Sequence, residues 1–213
     1  LNIKVTVFKN ILARFWALWG LIAFIITMLI VVWPILFTFL IPDPKGVEIF
    51  RRISKIWMQC FLFLIGCSVK VIGKKNFKKG DIYIIVSNHN SLMDIPLTTP
   101  FIPGPNKTIA KKSFANIPIF GWIYRRGSVL VDRKNTESRR KSIEAMKNTL
   151  VLGIHMCIYP EGSRNRTEEP LKTFYDGAFK LAIDTQKNII PCLLINTKKV
   201  LPIHKFFYLW PQV

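Results

Sequence analysis

The feature that most limits how this chain can fold is an uncharged stretch near its N-terminus. Phe15 to Ile41 runs 27 residues without an Asp, Glu, Lys or Arg. As a straight helix it is about 40 Å long, more than the roughly 30 Å hydrocarbon core of a bilayer requires. It is too long for the apolar centre of a signal peptide and lacks a small-residue cleavage site. Trp16, Trp19 and Trp33 suit interfacial positions near its ends, and Pro34 could bend it. Lys4, Lys9 and Arg14 before it nearly balance Lys45, Arg51, Arg52 and Lys55 after it, so charge does not choose an orientation. A tilted single span and a bent hairpin returning both ends to the cytoplasm both fit.

After a break at residues 42–46, the apolar run Ile56–Ile65 is too short to span a bilayer. It reads as a helix lying at the interface or packed on the first. From about Ser68 the pattern changes. Short runs rich in β-branched residues read as strands: 69–73, 82–86, 107–110, 128–131, 155–159 and 189–195. Thr136–Leu152 and Phe174–Asp184 carry helical spacing. The expected architecture is α/β, a central mixed sheet flanked by helices, behind a membrane-embedded N-terminal helical segment. Residues 1–67 form the anchor and residues 68–213 the α/β domain. The ending Trp210-Pro211-Gln212-Val213 supplies no evident closing element, which leaves the completeness of that domain open.

Charge narrows the partners. Thirty-one Lys and Arg against 12 Asp and Glu leave a formal +19. Such a field draws nucleic acid, anionic lipid headgroups, or acidic proteins and substrates. The apolar N-terminus favours an anionic membrane surface, and no nucleic-acid-binding module is evident. Cys60, Cys67, Cys157 and Cys192 have no paired metal spacing and sit in apolar runs. They read as free, buried thiols in a reducing, cytoplasm-facing domain, with no metal site.

Two constellations carry chemistry. Asn88-His89-Asn90-Ser91-Leu92-Met93-Asp94 follows a predicted strand, and His89 and Asp94 are five residues apart. A carboxylate at that distance can fix the tautomer of an imidazole that acts as a base. The same spacing also fits a helix start, with Ser91 and Asp94 capping backbone N–H groups. Farther on, Tyr159-Pro160-Glu161-Gly162-Ser163-Arg164 again follows a strand. Gly162 permits a tight turn, and Arg164 offers a planar fork for phosphate oxygens. Glu161 could hold that fork or bind an acceptor hydroxyl. Lys111, Lys112 and Arg133 close other strands, where solvated strand ends are the plainer reading.

Together these residues resemble the glycerophospholipid acyltransferases, in particular the 1-acylglycerol-3-phosphate acyltransferase (lysophosphatidate acyltransferase) group. Asn88, His89 and Asp94 match its N-H-x-x-x-x-D motif, and Gly127 to Arg133 its G-x-x-x-[IV]-x-R motif. Tyr159 to Arg164 match [FY]-P-E-G-[TS]-R, and Ile189 to Cys192 the apolar strand containing a proline. Asp176 departs from the Lys or Arg usual there. The resemblance implies His89 as general base, Asp94 as its partner, and Lys111, Arg133, Glu161, Gly162, Ser163 and Arg164 around the acceptor's phosphate and glycerol. It implies no cofactor and no metal, with an acyl thioester of acyl-carrier protein or coenzyme A as co-substrate. The expected reaction acylates the free sn-2 hydroxyl of lysophosphatidate, a membrane lipid, at the cytoplasmic face. Glycerol-3-phosphate or a lyso-aminolipid as acceptor, and a non-catalytic adaptor for anionic lipids, are the competing readings.

Overall fold

The computed structural model describes residues 2–132 and 134–212. Helix α1 (Asn2–Phe37) runs unbroken through the uncharged stretch. A helix apolar on all sides needs lipid or protein around it, and Phe15, Trp33 and Phe37 remain exposed on this one. Val7–Leu40 is long and apolar enough to cross a membrane. The stretch does not fold back on itself. Pro34 lies in the last helical turn, and the chain leaves through a 3-10 turn at Thr38–Leu40.

The returning arm is instead α2 (Lys45–Leu64), longer than the apolar run that marks it in the sequence. Its charged first turns are helical because Glu48 accepts from Arg51 at 2.7 Å and from Arg52 at 2.8 Å, one turn apart. Burial alone raises the Glu48 carboxyl, but the two guanidiniums bring it below its ordinary value. Apolar side chains of α2, among them Trp57, Met58 and Phe61, pack against Phe24 and its neighbours on α1. Two of the tryptophans expected at an interface are clips within this pair. The indoles of Trp16 and Trp19 donate to Ile65 O at 3.0 Å and Leu64 O at 2.8 Å.

The α/β part follows as β1 (Tyr83–Ser87), α3 (Asp94–Thr98), β2 (Asn106–Lys111), α4 (Phe120–Gly127), β3 (Ser128–Val131), α5 (Thr136–Val151), β4 (His155–Ile158), α6 (Gly177–Thr185), β5 (Asn188–Cys192) and α7 (Thr197–Val200). The strands form one sheet in the order β3-β2-β4-β1-β5. Every described pairing is parallel, so the α/β class stands but the sheet is not mixed. The cause is local. Residues 69–73, expected as a strand, form none, and Ile72 is exposed. With no strand there to run back along β1, every connection is a crossover long enough to restart a strand in the same direction.

Central strands β1 and β4 are buried along their whole length, as a sheet covered on both faces requires. Ile84 and Val86 face α5 and α6, while Tyr83 and Ile85 face the other layer. Pro191 is tolerated because β5 is an edge strand. All four cysteines are free. Cys157 is buried in β4, but Cys60 points outward from α2 and is not the buried hydrophobe expected.

One polar knot ties the helical pair to the sheet. Asp43, in the α1–α2 turn, takes Lys107 of β2 on Oδ2 at 3.0 Å. Arg126 of α4 lies 2.8 Å from Asp43 Oδ1, an ion pair without hydrogen-bond alignment. The buried Arg126 also donates through Nε to Thr38 Oγ1 at 3.1 Å. A Cβ on Gly46 would fall 1.9 Å from Arg126 Nη2 and 2.4 Å from Ile41 O, so only glycine lets the guanidinium reach the turn.

Candidate active site

Five parallel strands deliver all their C-terminal ends to one edge of the sheet, where α/β folds gather ligands. The chemistry-bearing motifs follow those ends. His89 lies just past β1, Lys111 ends β2, and Glu161 to Arg164 follow β4. Because β4 lies between β2 and β1, its loop stands between the lysine and the histidine.

At the β1 end, His89 Nδ1 lies 2.8 Å from Asp94 Oδ2. The same oxygen accepts the backbone N–H groups of Asn90 at 2.5 Å and Ser91 at 2.7 Å. An oxygen crowded by two donors accepts a third, so the imidazole carries its proton on Nδ1 and presents a lone pair on Nε2. Asp94 is fully buried, whereas the His89 side chain keeps 16% exposure, enough to meet a reactant. The capping reading holds only in part, because Met93, the residue before α3, makes no side-chain cap bond and the two amides lie outside the helix. Asp94 opens α3 with its carboxylate on those two amides, and Ser91 Oγ accepts from Met93 N–H at 3.2 Å.

The ring is also held from its sides. Tyr159 lies against it with centroids 4.5 Å apart. Thr98 donates its hydroxyl to Asp94 O, which leaves Tyr159 O–H to donate to Thr98 Oγ1 at 2.9 Å. Burial raises the Tyr159 phenol well above its ordinary value, so it stays a neutral donor. Asn88 anchors the loop's start with two bonds to the Leu194 backbone, at 3.0 Å and 2.7 Å.

Glu161 is almost wholly buried, at 1% exposure. Its Oε1 accepts the His89 N–H at 2.7 Å and its Oε2 the Lys172 N–H at 3.2 Å. It therefore splices the two loops together and does not hold the Arg164 fork. Asn165 N–H closes the splice by donating to His89 O at 2.6 Å. Gly162 adopts φ 67°, and its N–H donates to Tyr159 O at 3.0 Å. Ser163 is exposed and accepts from Lys172 Nζ at 2.8 Å. Arg164 is half-buried, and among the described residues no carboxylate pairs with it.

Lys111 is exposed at the end of β2, opposite Val131 of β3. Arg133, two positions beyond Val131, lies outside the described residues. Lys112 is exposed in the 3-10 turn that follows β2. Sequence reasoning assigned no role to Thr98, Asn165 or Lys172. Thr98 is four residues after Asp94, a helical spacing that could have revealed it. Asn165 and Lys172 come into play only through contacts across the fold. Beneath α3, an apolar cavity of about 100 Å³ lies between the helical pair and the sheet, lined by Phe24, Phe50, Trp57, Met58, Ile95 and Ile123.

Similarity to known proteins fits this geometry. Residues 68–195 match the family model described as Acyltransferase. The 1-acyl-sn-glycerol-3-phosphate acyltransferase of Helicobacter pylori is 33% identical over 150 residues, 70% of this chain and 62% of that protein. The Saccharomyces cerevisiae enzyme of the same name is 30% identical over 149 residues, 67% of this chain and 49% of that protein. The chain thus spans half to three-fifths of the length of these relatives. The crystal structure of the 1-acyl-sn-glycerophosphate acyltransferase from Thermotoga maritima superposes with a TM-score of 0.78 at 24% identity, covering 94% of this chain and 81% of that one. That likeness speaks for the fold. With the family model matched across its whole strand-and-loop framework, this chain belongs to the acyltransferase family.

Proposed function

We propose that the chain transfers a fatty acyl group from an acyl thioester to the free sn-2 hydroxyl of lysophosphatidate, giving phosphatidate. The observation that carries this reading is the 2.8 Å contact between His89 Nδ1 and Asp94 Oδ2, which leaves Nε2 as the basic nitrogen. His89 Nε2 takes the hydroxyl proton as the acceptor oxygen attacks the thioester carbonyl. The tetrahedral oxyanion collapses, the carbon–sulfur bond breaks, and the departing thiolate takes the proton from the imidazolium. Asp94 stabilises that imidazolium while it exists. Arg164, Lys111 and Arg133 hold the acceptor's phosphate, so that its hydroxyl meets the imidazole in a productive geometry.

The apolar cavity beneath α3 is small for a ligand site, but its lining suits part of an acyl chain. The membrane is the natural source of the acceptor, which enters sideways from the leaflet beside α1, with the catalytic domain on the cytoplasmic face. The excess of positive charge favours a negatively charged donor, either acyl-carrier protein or the phosphates of coenzyme A.

The test is thiol release by the purified full chain from both thioester donors, with lysophosphatidate, glycerol-3-phosphate and a lyso-aminolipid as acceptors. Turnover confined to lysophosphatidate is the expected result. Preference for another acceptor would move the assignment within the family. Lipid binding without thiol release from any acceptor would favour the adaptor reading.

A further inference from the structure

Lys172 is a cation that the motifs do not mark, yet the fold ties it closely to the histidine. Its backbone N–H is bound by Glu161 Oε2 at 3.2 Å, and the other oxygen of that carboxylate holds the His89 N–H at 2.7 Å. Its ammonium donates to Ser163 Oγ at 2.8 Å, beside Arg164. Among the described residues no carboxylate neutralises it. An ammonium has three donors, and a neutral hydroxyl acceptor leaves it in need of an anion. The next basic side chain along the chain, Lys180, is different, because it is paired with Asp176 at 2.5 Å on α6.

We propose that Lys172 is a phosphate-binding residue of the acceptor site, held in place by Ser163 and acting beside Arg164 on the phosphate monoester. This rests on the acceptor assignment above and adds a residue to it. In lysophosphatidate the phosphate is only a few bonds from the hydroxyl that must meet His89. The cation that grips it must therefore be fixed relative to His89, and the two-sided grip of Glu161 provides that. The clip uses the Lys172 backbone, so a side-chain substitution removes the charge without loosening the loop.

The experiment compares Lys172→Met, Lys172→Arg and Lys180→Met in the full chain. The readouts are steady-state turnover of lysophosphatidate and equilibrium binding of glycerol-3-phosphate as a soluble phosphate-monoester probe. Loss of one charge-assisted bond predicts a KM and a probe Kd raised about tenfold in Lys172→Met. kcat and Tm should stay near wild type, Lys172→Arg should restore most of the binding, and Lys180→Met should change nothing. Wild-type KM and Kd in Lys172→Met would overturn the proposal, as would a fall in Tm that arginine does not rescue. The two claims separate cleanly. If the wild-type chain does not turn over lysophosphatidate but Lys172→Met still weakens probe binding, the acceptor assignment fails and the phosphate site stands.

Discussion

Asp43 and Asp94 each organise one end of the molecule, and they do so with different partners. Asp43 meets two permanent cations, Lys107 and Arg126, and so pins the helical pair to the sheet. Asp94 meets one imidazole and two backbone amides. A carboxylate between permanent cations can only hold. Set against an imidazole, it fixes the proton on one ring nitrogen and leaves a lone pair on the other. The chain thus uses the same side chain once as a fastener and once, in the proposed reaction, as part of a proton-transfer pair. A similar contrast separates two histidines. His89 lies at the C-terminal edge with one nitrogen presented outward. His155, 5% exposed at the start of β4, accepts the Tyr83 N–H at 3.0 Å on Nδ1 and is packed under Phe77.

The largest effect should come from the proton-transfer pair. His89→Ala removes the base and is expected to lower thiol release about a thousand-fold. Tm should change little, because the ring is partly exposed. Full activity in this variant would erase the distinction between the two carboxylates. The fastener should behave in the opposite way. Asp43→Asn leaves Arg126 buried without a counter-charge and should cost about 3–4 kcal/mol of stability. It should appear as a large fall in Tm in detergent, while kcat per folded molecule persists. Unchanged stability would show that the knot does not hold the two parts together.

The histidine contrast is sharpened by acid. Burial lowers the His155 pKa from 6.5 to about 4. Above pH 6.5 the ring is neutral in both folded and unfolded chains, and it makes no difference to stability. As pH falls below that value the unfolded chain takes up the proton first. Stability therefore drops until about pH 4, by a total of about 3 kcal/mol. His155→Gln should flatten Tm against pH across that window, and an equally steep slope in the variant would show that another group is responsible. The smallest effect tests the geometry of the fastener. Gly46→Ala forces a Cβ to within 1.9 Å of Arg126 Nη2 and should cost about 2 kcal/mol by thermal unfolding, with no change in KM.

Much of this was legible in the chain itself. The α/β class follows from alternating short β-branched runs and helical spacing, which are local properties. His89 and Asp94 are close in sequence, and a turn of five residues suffices to bring them together. The misreadings were of longer range. Residues 69–73 have the composition of a strand, but strand pairing needs a free neighbour, and β4 and β5 occupy both sides of β1. The charged start of α2 was missed because apolar counting ignores the ion pairs that make it helical.

Sequence alone therefore determined the apolar N-terminal segment, the class of the fold, and a histidine paired with a nearby aspartate. These depend on hydrophobicity, local spacing and short loops, all of which act between close neighbours along the chain. Tertiary structure decided the role of Glu161 as a splice, the approach of Lys172 to Ser163, and the strand order that places the β4 loop between Lys111 and His89. Those contacts join residues far apart in the chain, and no short-range pattern encodes which partner a buried carboxylate will meet once the sheet has closed.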